Sequence, residues 1–278
     1  MDNAILITGF NGEIGRQTLL SLSKERALII ALDIHESDVK YDNVIYIKDS
    51  ILNKNIIDSI FDDYKITEIY HFAALLSQSA NKNPKLAHEV NEEGSKLIIN
   101  AAMNHGKKQK SFVKIFFPSS IAVYGPRKLT HAKEQDIMKP NTIYGCNKLA
   151  IEQFGTQKYE ESIATGYGID FRCLRFPGII SPYTIPSGGT TDFAPQMLHA
   201  AYNNEEYICR VDRSTTLPFL GIKNAVNAIL QIMNPKNIES KLRAFNVQEV
   251  TLSPKEIVLE LQKEFPKFIV DYNIDSKF

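Results

Sequence analysis

The stretch 4-AILITGFNGEIG-15 is an apolar run that breaks into three glycines, Gly9, Gly12 and Gly15, at three-residue spacing. The run reads as a strand, and the residues after it read as the first turn of a helix. Glycines at such a junction do separate work. Gly9 permits the tight turn, Gly12 lets backbone approach a pyrophosphate, and Gly15 lets the helix pack closely on the strand. The helix N-terminus then offers unpaired N–H groups and a partial positive charge to phosphates. Taken alone, three glycines also describe a plain strand-to-helix turn, so the surrounding pattern has to decide.

The second apolar run, 27-ALIIALD-33, ends on Asp33, where the acid of a dinucleotide fold bonds the adenosine ribose. A carboxylate there repels a 2′-phosphate, which favours NAD over NADP; a polar strand-end residue is the plainer alternative. In 46-YIKDS-50, Asp49 reads either as an acceptor for the adenine amino group or as a solvated loop acid. Further apolar runs follow at 66–74 (ITEIYHFAA), 112–120 (FVKIFFPSS) and 169–178 (IDFRCLRFPG), with helix-like segments near 84–105 and 142–166 between them. Continuous apolar strands separated by helices predict a parallel sheet covered on both faces, an α/β doubly wound (Rossmann) sheet.

After Pro177 the pattern changes. The Ser/Thr/Pro/Gly-rich stretch 181-SPYTIPSGGTTDF-193 reads as a loop. GIKNAVNAILQIM reads as another sheet-packing helix and AFNVQ as a short strand. SPKEIVLELQKEF reads as a helix with Ser253 at the N-cap and Pro254 at its first position. The expected organisation is an NAD-binding domain over 1–176, with 222–250 contributing, and a small C-terminal substrate lobe from 177–221 and 251–278.

Bulk properties exclude several classes. Of 278 residues 44% are hydrophobic and 23% charged, an ordinary globular composition. Thirty-two basic residues balance 32 acidic ones, which argues against nucleic acid or an anionic membrane as the main partner. Cys146, Cys173 and Cys209 lie far apart without CxxC spacing, and the six histidines form no HxxxH or HExxH group, so no metal is expected. With no membrane-length run and no signal-peptide core, a cytoplasmic protein is expected, or a mitochondrial one if a targeting segment precedes this sequence.

In 142-TIYGCNKLA-150, Tyr144 and Lys148 are four residues apart and share one helix face. An exposed surface pair is one reading. A tyrosine that gives up its proton is the other, and it needs company: Ser119 and Ser120 leave the preceding strand at its carboxyl end, where such sheets bind ligands. A free tyrosine titrates at about 10, so a base working near neutrality needs roughly two to three units, or about 3–4 kcal/mol. A neighbouring ammonium and a cationic nicotinamide both favour the phenolate.

This Ser…Tyr-x-x-x-Lys set, with GxxGxxG upstream, resembles the short-chain dehydrogenase/reductase superfamily. PSSIAVYG and HFAA resemble its extended branch of epimerases and dehydratases. The resemblance implies Tyr144 as general base, Lys148 bonding the nicotinamide ribose and lowering the tyrosine pKa, and Ser120 positioning the substrate oxygen, with Ser119 as alternate. It implies NAD contacts from Gly9, Asn11, Gly12, Glu13, Ile14, Gly15 and Asp33. Asp49, Ser50, Ile51, Phe72, Ala73, Ala74, Asn91, Tyr144, Lys148 and Pro177 complete that set. His71 is read as structural, and Asn91 reads as well as an ordinary helix-surface residue.

Within that branch, AALLS (73–77), PSSIAVYGP (118–126), LRFPGIIS (174–181) and GGTTDFA (188–194) resemble the short-chain type of L-threonine 3-dehydrogenase. That family implies threonine contacts at Ser77, Ser119, Ser120, Tyr144, Gly178, Thr190 and Thr191. The chemistry suits a zwitterion, which needs hydroxyl and backbone donors for its carboxylate and acceptors for its ammonium. The implied reaction is NAD-dependent oxidation of the threonine 3-hydroxyl to 2-amino-3-oxobutanoate. A homodimer is expected, since the helices near 84–105 and 142–166 pair subunits in family dimers; their apolar positions read equally well as intrachain core. Two readings compete: a nucleotide-sugar epimerase or dehydratase with the same residues, and a non-catalytic dinucleotide-binding protein. Lys223 and Asn224 stand where the branch commonly has acids, and the sequence stops short of where the family usually ends.

Overall fold

The computed structural model describes residues 3–25, 27–126, 131–183, 189, 191–234 and 241–274. The first apolar run forms β1 (Asn3–Thr8), and the glycine turn leads into α1 (Glu13–Leu22). Next come β2 (Leu28–Asp33), β3 (Val44–Lys48), α2 (Lys54–Asp63) and β4 (Lys65–His71). Two short helices, α3 (Ser77–Lys82) and α4 (Pro84–His88), run into a π-helical turn (Glu89–Gly94) and then α5 (Ser95–Gln109). β5 (Phe112–Ser120) ends in a 3₁₀ turn (Ile121–Tyr124), and α6 (Ile143–Thr165) and β6 (Gly168–Phe176) follow. The remainder is β7 (Gly178–Ile180), α7 (Phe193–Tyr202), β8 (Tyr207–Cys209), β9 (Leu217–Gly221) and α8 (Ile222–Met233). It closes with β10 (Ala244–Asn246), β11 (Val250–Leu252), α9 (Pro254–Glu264) and β12 (Val270–Tyr272).

Two compact units result: one of residues 1–175 and 226–246, the other of 176–225 and 247–278. The first contains a seven-stranded parallel sheet in the order β10-β6-β5-β4-β1-β2-β3. β1 and β2 are buried at nearly every residue rather than at alternate ones, as a sheet covered on both faces requires. Leu6, Ile30, Leu32, Ile69, Ile115 and Phe171 lie in its core. The second unit holds a three-stranded sheet, β11-β9-β7, and the β12-β8 pair, around Phe193, Met197, Phe219, Ile257 and Phe268. Ser253 begins α9 with a capping box closed by Glu256.

The strand order reverses between β1 and β4, and this positions the site. Thr8 lies opposite Leu32 on one side and His71 on the other. Gly9 N donates to Leu32 O, and Phe72 N to Thr8 O, each at 2.8 Å, so both ladders run one residue past the strand ends. Gly9, Asp33 and Phe72 therefore emerge side by side at the carboxyl ends, at the switch point where open α/β sheets bind ligands.

α6 reaches that edge through its first turn. Thr142 caps it, its Oγ1 accepting Gly145 N at 3.0 Å. Gly145 lies so close to the turn after β5 that a Cβ there would stand 2.6 Å from the Ala122 carbonyl oxygen. Backbone cannot yield as a side-chain tip can. Overpacking costs about 1–3 kcal/mol, against the roughly 1 kcal/mol that alanine gains over glycine in a helix interior. Gly145→Ala is therefore expected to lower the urea midpoint; a midpoint at or above wild type would show that α6 does not need this close approach.

Candidate active site

The glycine turn is built for a backbone approach. Gly9 has φ +69°, and a Cβ on it would meet Ala73 N at 2.4 Å. A Cβ on Gly15 would meet Gly9 O at 2.4 Å. Gly12 differs. Its φ is −68°, and a Cβ there would find only Gly9 O, at 3.4 Å. Gly12 is the N-cap of α1 and makes no side-chain cap, and a helix N-terminus of this kind suits an external anion. Beside it, the Asp33 carboxylate accepts Asn11 N at 3.0 Å and His35 N at 2.9 Å. Each oxygen keeps lone-pair capacity for a ribose hydroxyl. Asp49 is occupied locally, accepting Ser50 N at 2.7 Å and Asn53 Nδ2 at 3.1 Å, while its own N–H bonds Asp33 O at 3.0 Å. Ser50 Oγ accepts Leu52 N, and Ile51 is buried.

His71 is the end of β4, buried and hydrogen-bonded on both ring nitrogens. Ser95 Oγ donates to Asn91 O at 2.7 Å, so its oxygen accepts from His71 Nε2–H at 2.9 Å, leaving Nδ1 to accept Thr8 Oγ1–H at 2.6 Å. Burial, helped by Lys148, drives the imidazole down to about 3, and it stays neutral. Asn91 sits in the π-helical turn and clamps the loop that carries Ala73 and Ala74. Its Oδ1 accepts Leu75 N at 2.7 Å and its Nδ2 donates to Leu75 O at 3.0 Å, with Asn147 Oδ1 at 3.4 Å. The same Asn147 donates to Glu92 Oε1 at 2.6 Å, tying α6 to that turn.

The opposite side of the crevice is Lys148, with its ammonium 4.6 Å from the Phe117 ring centroid and 5.4 Å from that of Tyr144. Ser119 is two residues beyond Phe117 and so on the same face of β5. Its Oγ is buried without a hydrogen-bond partner among the described residues. An orphaned buried hydroxyl is costly unless a ligand completes it. Ser120, half-buried, accepts Ala122 N at 3.2 Å. Burial pushes Tyr144 up to about 12 and pulls Lys148 down to about 8. In the ligand-free protein burial alone sets the direction for the phenol, which is raised; the lowering expected from the sequence also counts a cationic nicotinamide.

In the second unit, Pro177 precedes β7. Gly178 is close-packed: a Cβ on it would meet Phe219 Cδ1 at 2.7 Å and Thr191 Cβ at 2.8 Å, so Gly178 and Thr191 are neighbours. Ser77 opens α3 in the first unit. Thr190 lies outside the described residues. The sequence reading passed over Glu152 and Arg175, which are buried next to this site; Glu152 falls four residues after Lys148, and Arg175 interrupts an apolar strand.

A helix N-terminus without a side-chain cap, an open glycine and a strand-end carboxylate fit a dinucleotide. Comparison with known proteins agrees. The NAD dependent epimerase/dehydratase family model matches residues 5–247. The chain belongs to this family, and it is an NAD-dependent enzyme. Among individual relatives, a Sus scrofa protein named mitochondrial L-threonine 3-dehydrogenase is 34% identical over 277 residues, 98% of this chain and 71% of its own. The crystal structure of L-threonine dehydrogenase from Phytophthora infestans matches with TM-score 0.87 and 31% identity, over 98% of this chain and 85% of that one. A monomeric L-threonine 3-dehydrogenase from a metagenome, in apo form, matches with TM-score 0.86 and 31% identity, again over 98% and 85%.

The glycines should separate experimentally. Gly12→Ala is expected to keep the wild-type urea midpoint while weakening NAD⁺ binding by calorimetry at least tenfold, about 1.4 kcal/mol. Gly15→Ala should lose stability as well. Unchanged NAD⁺ affinity in Gly12→Ala would remove the phosphates from this turn.

Proposed function

We propose that this enzyme oxidises the 3-hydroxyl of L-threonine, giving 2-amino-3-oxobutanoate, NADH and a proton. The observation that carries the reading is the Tyr144–Lys148 pair facing the Phe117–Ser120 strand end, in a chain similar over 98% of its length to a protein named L-threonine 3-dehydrogenase. NAD⁺, when bound, supplies the hydride acceptor and a positive ring.

Each chain residue then has a defined task. Gly9, Asn11, Gly12, Glu13, Ile14 and Gly15 hold the pyrophosphate. Asp33 bonds the adenosine ribose, and Asp49, Ser50 and Ile51 border the adenine. Phe72, Ala73 and Ala74 line the nicotinamide end, their loop held by Asn91. Ser120 holds the threonine hydroxyl, Tyr144 takes its proton, and Lys148 bonds the nicotinamide ribose. Ser77 and Ser119 hold the amino acid, the latter completing its orphaned hydroxyl. Within the second unit, Gly178 and Thr191 are assigned to threonine, and Pro177 to the cofactor.

The energetics say what Tyr144 must overcome. From about 12 in the ligand-free protein, a phenolate at neutral pH lies about five units, or roughly 7 kcal/mol, uphill. Lys148 is mostly an ammonium below about 8 and supplies part of that stabilisation. Above that pH it loses its charge while Tyr144 is still protonated. The two groups reach their reactive states together only once positive charge is added beside the phenol. A cytoplasmic homodimer belongs to the same reading; the three free thiols suit a reducing compartment, and light scattering would give the subunit number.

L-Threonine and NAD⁺ should generate NADH absorbance, and Tyr144→Phe should lower kcat by at least about 100-fold. The rate should climb about tenfold per pH unit on the acid side, because the phenolate is then the minor form. Turnover of a UDP-sugar without threonine activity would point to epimerisation. Tight NAD⁺ binding with neither activity would leave a non-catalytic binder.

A further inference from the structure

The residues assigned to the reaction leave one buried charged pair beside them unused. Glu152 lies on α6 one turn beyond Lys148, and Arg175 lies at the end of β6; both are 3% exposed. Arg175 Nε stands 3.0 and 3.2 Å from the two Glu152 oxygens, and Nη2 stands 2.8 Å from Oε2. Nη1 donates to Tyr124 Oη at 2.8 Å and to Glu134 O at 2.9 Å. Tyr124 Oη donates in turn to Asn246 Oδ1 at 2.7 Å. One guanidinium therefore joins α6, the 3₁₀ turn after β5 and, through Tyr124, β10.

Stability alone does not account for such a pair, since well-packed apolar residues often replace a buried ion pair without loss. Its location does. Tyr124 lies in the turn whose first N–H contact is with Ser120 Oγ. Glu152 lies on the helix face of Tyr144 and Lys148, at successive four-residue steps.

We propose that Glu152 and Arg175 are positioning residues for the reaction: their ion pair locks α6 to the turn that follows Ser120 and places a carboxylate one helical turn from the Lys148 ammonium. The inference rests on the threonine dehydrogenase reading only in its kinetic arm.

The charges around Lys148 make Glu152 the effective one. From α6 it faces Tyr144 and Glu152, from β6 Cys173, from β4 His71, and from β5 the uncharged Phe117 ring. Burial lowers Lys148, and Cys173 and then Glu152 oppose that shift. The Cys173 thiol is itself held well above its usual range by burial. His71 is neutral down to about 3 and Tyr144 up to about 12. Of these groups the carboxylate is that of Glu152, held in its ion pair with Arg175.

Protein labelled with ¹³C at the lysine ε-carbon, titrated by NMR without substrate, tests the charge. The Lys148 signal is identified by its loss in Lys148→Arg. The wild-type midpoint is expected near 8, and Glu152→Gln should lower it by about one unit. If the single variant does not fold, the double variant Glu152→Gln/Arg175→Met removes both partners of the pair, and the midpoint should move in the same direction but by less, because the Arg175 cation goes with the carboxylate. An unmoved midpoint in the folded variant overturns the charge role. For the lock, the double variant should show kcat at least about tenfold lower with the NAD⁺ KM within about twofold; wild-type kcat overturns it. A wild type inactive on threonine would sink the substrate reading, and the NMR arm would still decide this one.

Discussion

The site depends on a contact made without side chains. At the carboxyl end of β1, the Gly9 backbone runs so close to Ala73 that a single Cβ would come within 2.4 Å of its nitrogen. Gly15 must in turn lie against Gly9 for α1 to start where it does. Together these approaches bring a strand end, a helix start and the loop after β4 to one place. Any residue other than glycine at Gly9 would meet both a positive φ and a backbone clash. Asp33 stiffens the same junction by accepting the Asn11 and His35 amides. Its carboxylate therefore has a structural role alongside the ribose bond assigned to it.

The polar side of the crevice follows another rule. Charged and hydroxyl groups taken from water need partners, and nearly all of those here have them. His71 is held between Thr8 and Ser95, Asn91 uses both ends of its amide on Leu75, and Arg175 is shared by Glu152 and Tyr124. Ser119 Oγ stands apart from this pattern, on the strand face over which Lys148 lies. An unpartnered hydroxyl at this point leaves a hydrogen bond there for a ligand to make.

The strands were legible because parallel strands buried on both faces are written as unbroken apolar runs; 4–9, 27–33 and 112–120 became β1, β2 and β5 almost residue for residue. The helix-like segment near 84–105 was harder to resolve. It is α4, a π-helical turn and α5 in succession, and nothing in helical periodicity distinguishes the turn that carries Asn91. The three-residue strands β8 and β12 form a pair and are too short to carry a pattern. Motif spacing revealed Tyr144, Lys148 and the glycines because their chemistry fixes sequence distance. Glu152 and Arg175 meet across 23 residues of chain, and only the fold brings them together.

Burial works against the charge of the tyrosine and the lysine alike. With the phenol raised to about 12 and the amine lowered to about 8, the ligand-free site stores no ion pair between them. That is consistent with a site whose charge arrives with its cofactor. Under the proposed reading, a phenol kept protonated by burial would ionise more readily once positive charge enters the crevice. A low-polarity wall formed by Phe117 strengthens that dependence, because the same burial that penalises a lone charge enlarges the attraction once a second one is present.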